Sequence, residues 1–185
     1  MKKIVLGLLM VMGFYSNAQE TEFTFTADKG MTDFIVTPVE GKTAPEIYKK
    51  VIEWIKVTYK NPDKVILSTI ENEYVRFEGI TTDIDDSKNM YQLEISIKDG
   101  KYKFDLISLK FYLESTTYGG VIGWNDMGVN FNNNSTKESI KNLYKKDGTL
   151  RVYYPYVPKV PIFFNNLNKS LSESIVSTVK KTDGW

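Results

Sequence analysis

The sequence predicts an α+β fold, an antiparallel sheet of about five strands with two main helices on one face, and three observations carry that expectation. Apolar and polar residues alternate on both sides of Asp99-Gly100 from Tyr91 to Leu113, the period-2 signature of a β-hairpin with one buried face. Two stretches, near 43–59 and 161–182, carry their apolar residues at helical spacing instead. Two further strand-like runs lie between the first of these helices and the hairpin, which makes four consecutive strands.

At the N-terminus, Lys2-Lys3, an apolar run from Ile4 to Tyr15 and the small residues of Ser16-Asn17-Ala18 have the form of a signal peptide cleaved after Ala18. The run is too short to span a membrane, and no cysteine follows to take a lipid. The expected organisation is a signal peptide at 1–18 and a single domain at 19–185. Glu22 to Ala27 reads as a short strand around Phe23 and Phe25, Asp28-Lys29-Gly30 as a turn, and Asp33 to Pro38 as a second strand. Thr43-Ala44-Pro45-Glu46 is a capping box with proline in the first turn. The helix it opens should run to about Tyr59 and bury Ile47, Val51, Trp54 and Ile55, with Asn61-Pro62-Asp63 ending it.

Lys64 to Ile70 and Tyr74 to Ile84 are the next two strands, with Gly79 read as a bulge. In the hairpin, Tyr91, Leu93, Ile95, Ile97, Tyr102, Phe104 and Leu106 share the inner face. Asp99-Gly100 suits a type I′ turn, and the alternation slips one residue near Ile107-Ser108, which marks a bulge. Beyond Tyr112 the chain is rich in Gly, Asn and Tyr. Within it Ser135-Thr136-Lys137-Glu138 opens a short helix to Lys146, Thr149 to Tyr154 is a candidate strand, and Pro155, Pro158 and Pro161 favour an extended run. Phe164, Leu167, Leu171, Ile175 and Val179 then trace the second covering helix.

The order strand, helix, four strands resembles a secreted bacterial domain family of unknown function with a TATA-binding-protein-like (TBP-like) fold. The likeness rests on the helix with Ile47, Tyr48 and Trp54, its exit Asn61-Pro62-Asp63-Lys64-Val65-Ile66, and the hairpin around Lys98-Asp99-Gly100-Lys101-Tyr102. It covers a core at about 33–111, leaving an irregular insertion at about 112–160 before the final helix. The resemblance implies a curved antiparallel sheet with two helices on one face and an envelope location. It carries no activity, and its name refers to shape without implying DNA binding.

Composition narrows the chemistry. There is no histidine and no cysteine, so Ser-His-Asp and Cys-His nucleophiles and the usual zinc, copper and iron sites have no ligands or bases to use. The net charge is +1 and loses two lysines with the signal peptide, which gives no general attraction to nucleic acid or anionic membrane. No cofactor is implied. The expected partner is an envelope protein or a glycan.

The candidate binding face is the outer side of the hairpin, Gln92, Glu94, Ser96, Lys103 and Asp105. A two-residue turn sets Lys98 opposite Lys101, Ser96 opposite Lys103 and Glu94 opposite Asp105, and like charges so placed cost stability unless something neutralises them. The ordinary reading is a solvated face, with Lys103 and Arg76 as diagonal neighbours; the sharper one is a cation site or a carboxylate pair. Asp83, Asp85, Ser87 and Asn89, with Glu94 twelfth, mimic a calcium loop, but Lys88 stands where that loop needs glycine. Lys137, Lys141 and Lys145 recur every fourth residue, the pattern of a helix side facing either solvent or an anionic surface such as lipid head groups, with solvent the ordinary reading. Tyr118, Trp124, Phe131, Tyr153, Tyr154 and Tyr156 would make an aromatic platform or fold the insertion onto its own domain. The reading favoured is a non-catalytic binding or structural module. Its alternatives are a subunit of an envelope complex and a carboxylate-based saccharide hydrolase, the enzyme class that lack of histidine leaves open.

Overall fold

The computed structural model describes residues 20–28, 30–115, 121–127, 141–152 and 155–177. Phe25–Thr26 (β1) pairs with Gly30–Met31 (β2). Phe34–Pro38 (β3) leads to the helix Ala44–Thr58 (α1), the helical turn Pro62–Val65 (α2), the meander Ile66–Ile70 (β4), Tyr74–Thr81 (β5), Asn89–Lys98 (β6) and Lys101–Leu113 (β7), then Gly123–Asp126 (β8) and the helix Lys159–Val176 (α3). Every pairing in the main sheet is antiparallel, in the order β3-β7-β6-β5-β4, with β8 joining β7 beyond the end of β3. The expected α+β architecture is present, a curved sheet carrying α1 and α3. It has six strands where about five were expected, because β8 arises within the stretch read as irregular.

The hairpin register is the expected one, with Lys98 opposite Lys101, Glu94 opposite Asp105, and a slip at Ile107 between Gln92↔Ser108 and Leu93↔Leu106. Its turn is not type I′, which needs positive φ at both central residues; only Gly100 has it, at 74°. The turn is set by what it docks against. Asp99 Oδ1 accepts from Ala44 N–H at 2.7 Å at the start of α1, Gly100 N–H donates to Lys42 O, and Gly100 O accepts from Val39 N–H. The same helix start has the expected box contact from Thr43 N–H to the Glu46 carboxylate at 2.8 Å. That bond lowers the Glu46 pKa.

Inward-facing side chains of β6 and β7 meet Ile47, Val51, Trp54 and Ile55 of α1 and Val160, Phe164, Leu171 and Ile175 of α3 in one core. Burying side chains of this size contributes roughly 1.5–3 kcal/mol each, and in a chain without disulfides this packing holds the layers together. Phe23 enters the same core between Phe104 and Phe164, and its backbone N–H and C=O are both bonded by the Asn165 amide. Asn168 lies on the buried stripe of α3. Its Oδ1 accepts from Tyr102 Oη at 2.8 Å and its Nδ2 donates to Thr37 Oγ1 at 3.0 Å, so its amide ties α3 to the sheet. Burial raises the pKa values of Tyr59, Tyr91 and Tyr102.

Several local expectations are corrected. Lys64 and Val65 are helical, since their N–H groups bond back to Asn61 O after the helix-compatible Pro62, and β4 starts at Ile66. The β4–β5 register shifts between Ile66 and Ser68, whereas Gly79 pairs regularly with Tyr91. Gly79 is small for another reason: a Cβ there would overlap the Tyr91 ring. β5 ends at Thr81, and Ile84 is a buried plug in the turn that follows.

Of 149–154, Leu150 makes a single bridge to Tyr144, 151–152 is not strand, and 153–154 lies outside the described residues. Residues 155–158 form turns, not an extended run; Lys159 and Val160 N–H groups bond to Tyr156 O, which starts α3 at Lys159. Proline's fixed φ suits that first turn as well as an extended chain. The final helix ends at Val176, and 178–182 lies outside the described residues, as do 1–18 and Ser135 to Ile140 of the short helix, which is helical at 141–143. Among the described residues no helix is long and apolar enough to cross a membrane.

Candidate functional site

The sheet has two unlike faces. One is consumed by the core, so the side chains that alternate with it on β5, β6 and β7 point away from both helices. Gln92, Glu94, Ser96, Lys103 and Asp105 all stand on this outer face, each half-buried among neighbours. The structure sets them on one face in three separately bonded groups. Arg76, directly across from Glu94 on β5, donates to Glu94 Oε2 from Nη2 at 2.7 Å and from Nε at 3.2 Å. Ser96 Oγ donates to Glu94 Oε1 at 3.3 Å. Lys103 Nζ bonds Asp105 Oδ2 at 2.7 Å, and Gln92 Nε2 donates to Glu78 Oε2 at 3.0 Å.

The opposition of Glu94 and Asp105 is therefore not an unrelieved repulsion, since each carboxylate has its own cation. Sequence reasoning placed Arg76 diagonally. It missed Glu78 and Phe34, the latter 42% exposed with the Lys103 ammonium 5.2 Å from its ring centroid. Arg76 and Glu78 alternate with Val75 and Phe77 along β5, a signal that could have assigned them to this face.

At the turn end of the face lies a cavity of about 400 Å³ lined by Phe34, Val36, Ser96, Lys98, Lys101 and Lys103. The opposite end is more apolar, with Ile80 exposed on β5 and Trp124 of β8 set edge-on to Tyr112 at 5.2 Å.

With this geometry two solved structures are similar. A DUF4468 family protein from Bacteroides ovatus matches with a TM-score of 0.56 at 13% identity, covering 83% of this chain and 91% of that one. A TBP-like protein from Parabacteroides distasonis matches with a TM-score of 0.50 at 12% identity, covering 77% and 90% respectively. The chain has a TBP-like fold. No protein-family model matches the sequence, and no curated protein matches it. At these identities the likeness carries the TBP-like fold and no activity.

The other candidate groups are dispersed or already occupied. In the acidic loop Asp85 Oδ1 accepts from Ser87 N–H at 3.1 Å and from Asn89 Nδ2 at 2.6 Å, while Asp83 Oδ2 accepts from Thr81 Oγ1. Glu94, the twelfth position of a calcium loop, sits on the sheet with Arg76. Lys141 and Lys145 are exposed, and Lys137 lies outside the described residues. Of the aromatic platform, Tyr156 is half-buried against the core and Trp124 stands on the sheet, whereas Tyr118, Phe131, Tyr153 and Tyr154 lie outside the described residues. Hydroxyl and amide donors from Thr149 hold the Asp147 carboxyl below its ordinary pKa. Among the described residues, no element roofs the outer-face carboxylates into the kind of cleft that a carboxylate-based enzyme needs.

Proposed function

We propose that this TBP-like chain is a non-catalytic binding module of the bacterial envelope, exported with loss of residues 1–18, and that its outer sheet face is the contact surface. The observation that carries the reading is the division of labour between the faces. The inner face and the two helices account for the core. The outer face carries polar side chains, each held by a bonded neighbour, and such pre-orientation lowers the ordering cost of binding. The Lys2-Lys3, apolar-run and Ser16-Asn17-Ala18 pattern supports export, and both similar structures come from bacteria. The open sheet favours binding over saccharide hydrolysis, which needs two carboxyl groups placed across a bound sugar.

The test is Glu94→Gln with Asp105→Asn. Both acids are partly exposed ion-pair members, so the double variant is expected to lose no more than about 1 kcal/mol per pair in urea unfolding. Crosslinking in intact cells, followed by capture from the envelope fraction, should lose the partner recovered with the parent, and the recovered chain should begin at Gln19. Capture unaffected by the double variant would remove this face as the contact surface.

A further inference from the structure

We infer that the cavity at the turn end of the outer face binds a compact acidic saccharide, a sugar whose carboxylate or phosphate lies against Lys98 and Lys101 and whose ring lies on Phe34. The inference rests on the reading of the outer face as a binding surface and names what part of it would hold. It starts from the like-charge pairs. Three cross-strand rows of the hairpin set Lys98 against Lys101, Ser96 against Lys103 and Glu94 against Asp105. The acidic row is neutralised by Arg76 and Lys103 at 2.7 Å each. The basic row is not: among the described residues neither Lys98 nor Lys101 forms an ion pair. Two ammonium groups facing each other across a strand pair destabilise a sheet, and an anion between them reverses the sign of that contribution.

The cavity gives the anion a body. Val36, Lys103 and Ser96 form one continuous cross-strand row through β3, β7 and β6. One wall of the cavity is thus apolar, from Phe34 and Val36, and the other supplies ammonium groups and the Ser96 hydroxyl. A volume of about 400 Å³ is at the small-molecule end of binding cavities. A ligand with one anionic group, an apolar ring face and hydroxyls meets all of these walls. Lysine suits the anion as a mobile point charge without demanding bidentate geometry.

The surroundings limit ligand length. At the Phe34 end the cavity meets the row of Glu94 and Asp105, since Phe34 pairs with Asp105, and those carboxylates already hold their cations, so an extended polyanion or acidic peptide would leave two lysines for a region carrying carboxylates. The charge pattern therefore selects a short ligand.

The experiment is calorimetric titration of the purified chain with glucuronate, glucose phosphate, glucose, inorganic phosphate and a tetraglutamate peptide. At least one acid sugar should bind saturably at millimolar concentration or below, with glucose and inorganic phosphate about tenfold weaker or worse. Lys98→Gln with Lys101→Gln should weaken the acid sugar by about tenfold or more while melting at or above the parent temperature. Phe34→Ala should bring the acid sugar down towards inorganic phosphate. Absence of acid-sugar binding, equal binding of inorganic phosphate, retention in the double-lysine variant, or tighter binding of tetraglutamate would each overturn the inference. Partner capture with the Glu94/Asp105 variant separates this failure from that of the wider reading: a capture that still depends on those carboxylates keeps the outer face as a binding surface even when no sugar binds.

Discussion

Trp54→Ala is expected to destabilise the fold by roughly 3–5 kcal/mol, the range for removing a large aromatic from a core that cannot collapse around the loss. Trp54 is only 2% exposed, on the α1 stripe with Val51 and Ile55. Its ring stands edge-on to Phe77 at 5.8 Å and to Tyr59 at 6.1 Å, so it joins the helix to β5 beneath it. Its indole N–H donates to Ser170 Oγ at 3.1 Å, tying α1 to α3 across the top of the sheet. Trp54→Phe keeps much of the packing and loses that hydrogen bond, which is worth about 1 kcal/mol. Urea unfolding of the two variants should therefore rank alanine well below phenylalanine. A Trp54→Ala chain that unfolds at the parent's midpoint and loses partner capture would instead make Trp54 a ligand contact.

Gly79→Ala is expected to cost roughly 1–3.5 kcal/mol net, against the trend of strand propensity, in which alanine is the better residue by about 0.5–1 kcal/mol. The added methyl would occupy the space of the Tyr91 ring. Tyr91 has little freedom to yield: it is edge-on to both Phe163 and Phe164, and its hydroxyl shares a 2.8 Å hydrogen bond with Tyr59. Overpacking of this kind costs typically 1–3 kcal/mol, and displacing the hydroxyl pair adds about 1. A double-mutant cycle isolates the cause. In a Tyr91→Leu background the same glycine change should cost less than about 0.5 kcal/mol. An equal cost in both backgrounds would place the requirement in the backbone of β5.

These two sites show what the sequence carries and what it does not. Trp54 was legible because helical spacing groups it with Ile47, Val51 and Ile55, and the hairpin was legible because period-2 alternation fixes which side chains share a face. Gly79 was misassigned because a lone glycine in a strand marks either a bulge or a close approach, and only the position of Tyr91 opposite it on β6 decides between them. Asn165 and Asn168 escaped for a related reason: polar residues within an apolar helical stripe read as surface until the fold brings Phe23, Thr37 and Tyr102 to them from 142, 131 and 66 residues away. β8 is four residues with one large side chain, Trp124, too short to produce a periodic signal.

The candidate face was half legible. Alternation named its five residues and the turn named their opposing pairs, including the like charges. Which charges are neutralised depends on the register between β5 and β6 and on the rotamer of Lys103, neither of which local patterning contains. Lys98 and Lys101 gain meaning only because Phe34, from a strand that precedes them by more than sixty residues, lines the same cavity.

The measurement that bears most directly on the central claim is site-specific photocrosslinking in intact cells, with the probe placed either at Gln92 on the outer sheet face or at Lys49 on the solvent side of α1. Both positions lie off the core, so both probes should be carried by folded protein. A discrete adduct is expected from position 92 and none from position 49; an adduct confined to position 49, or no adduct from position 92, would contradict the outer face as the contact surface.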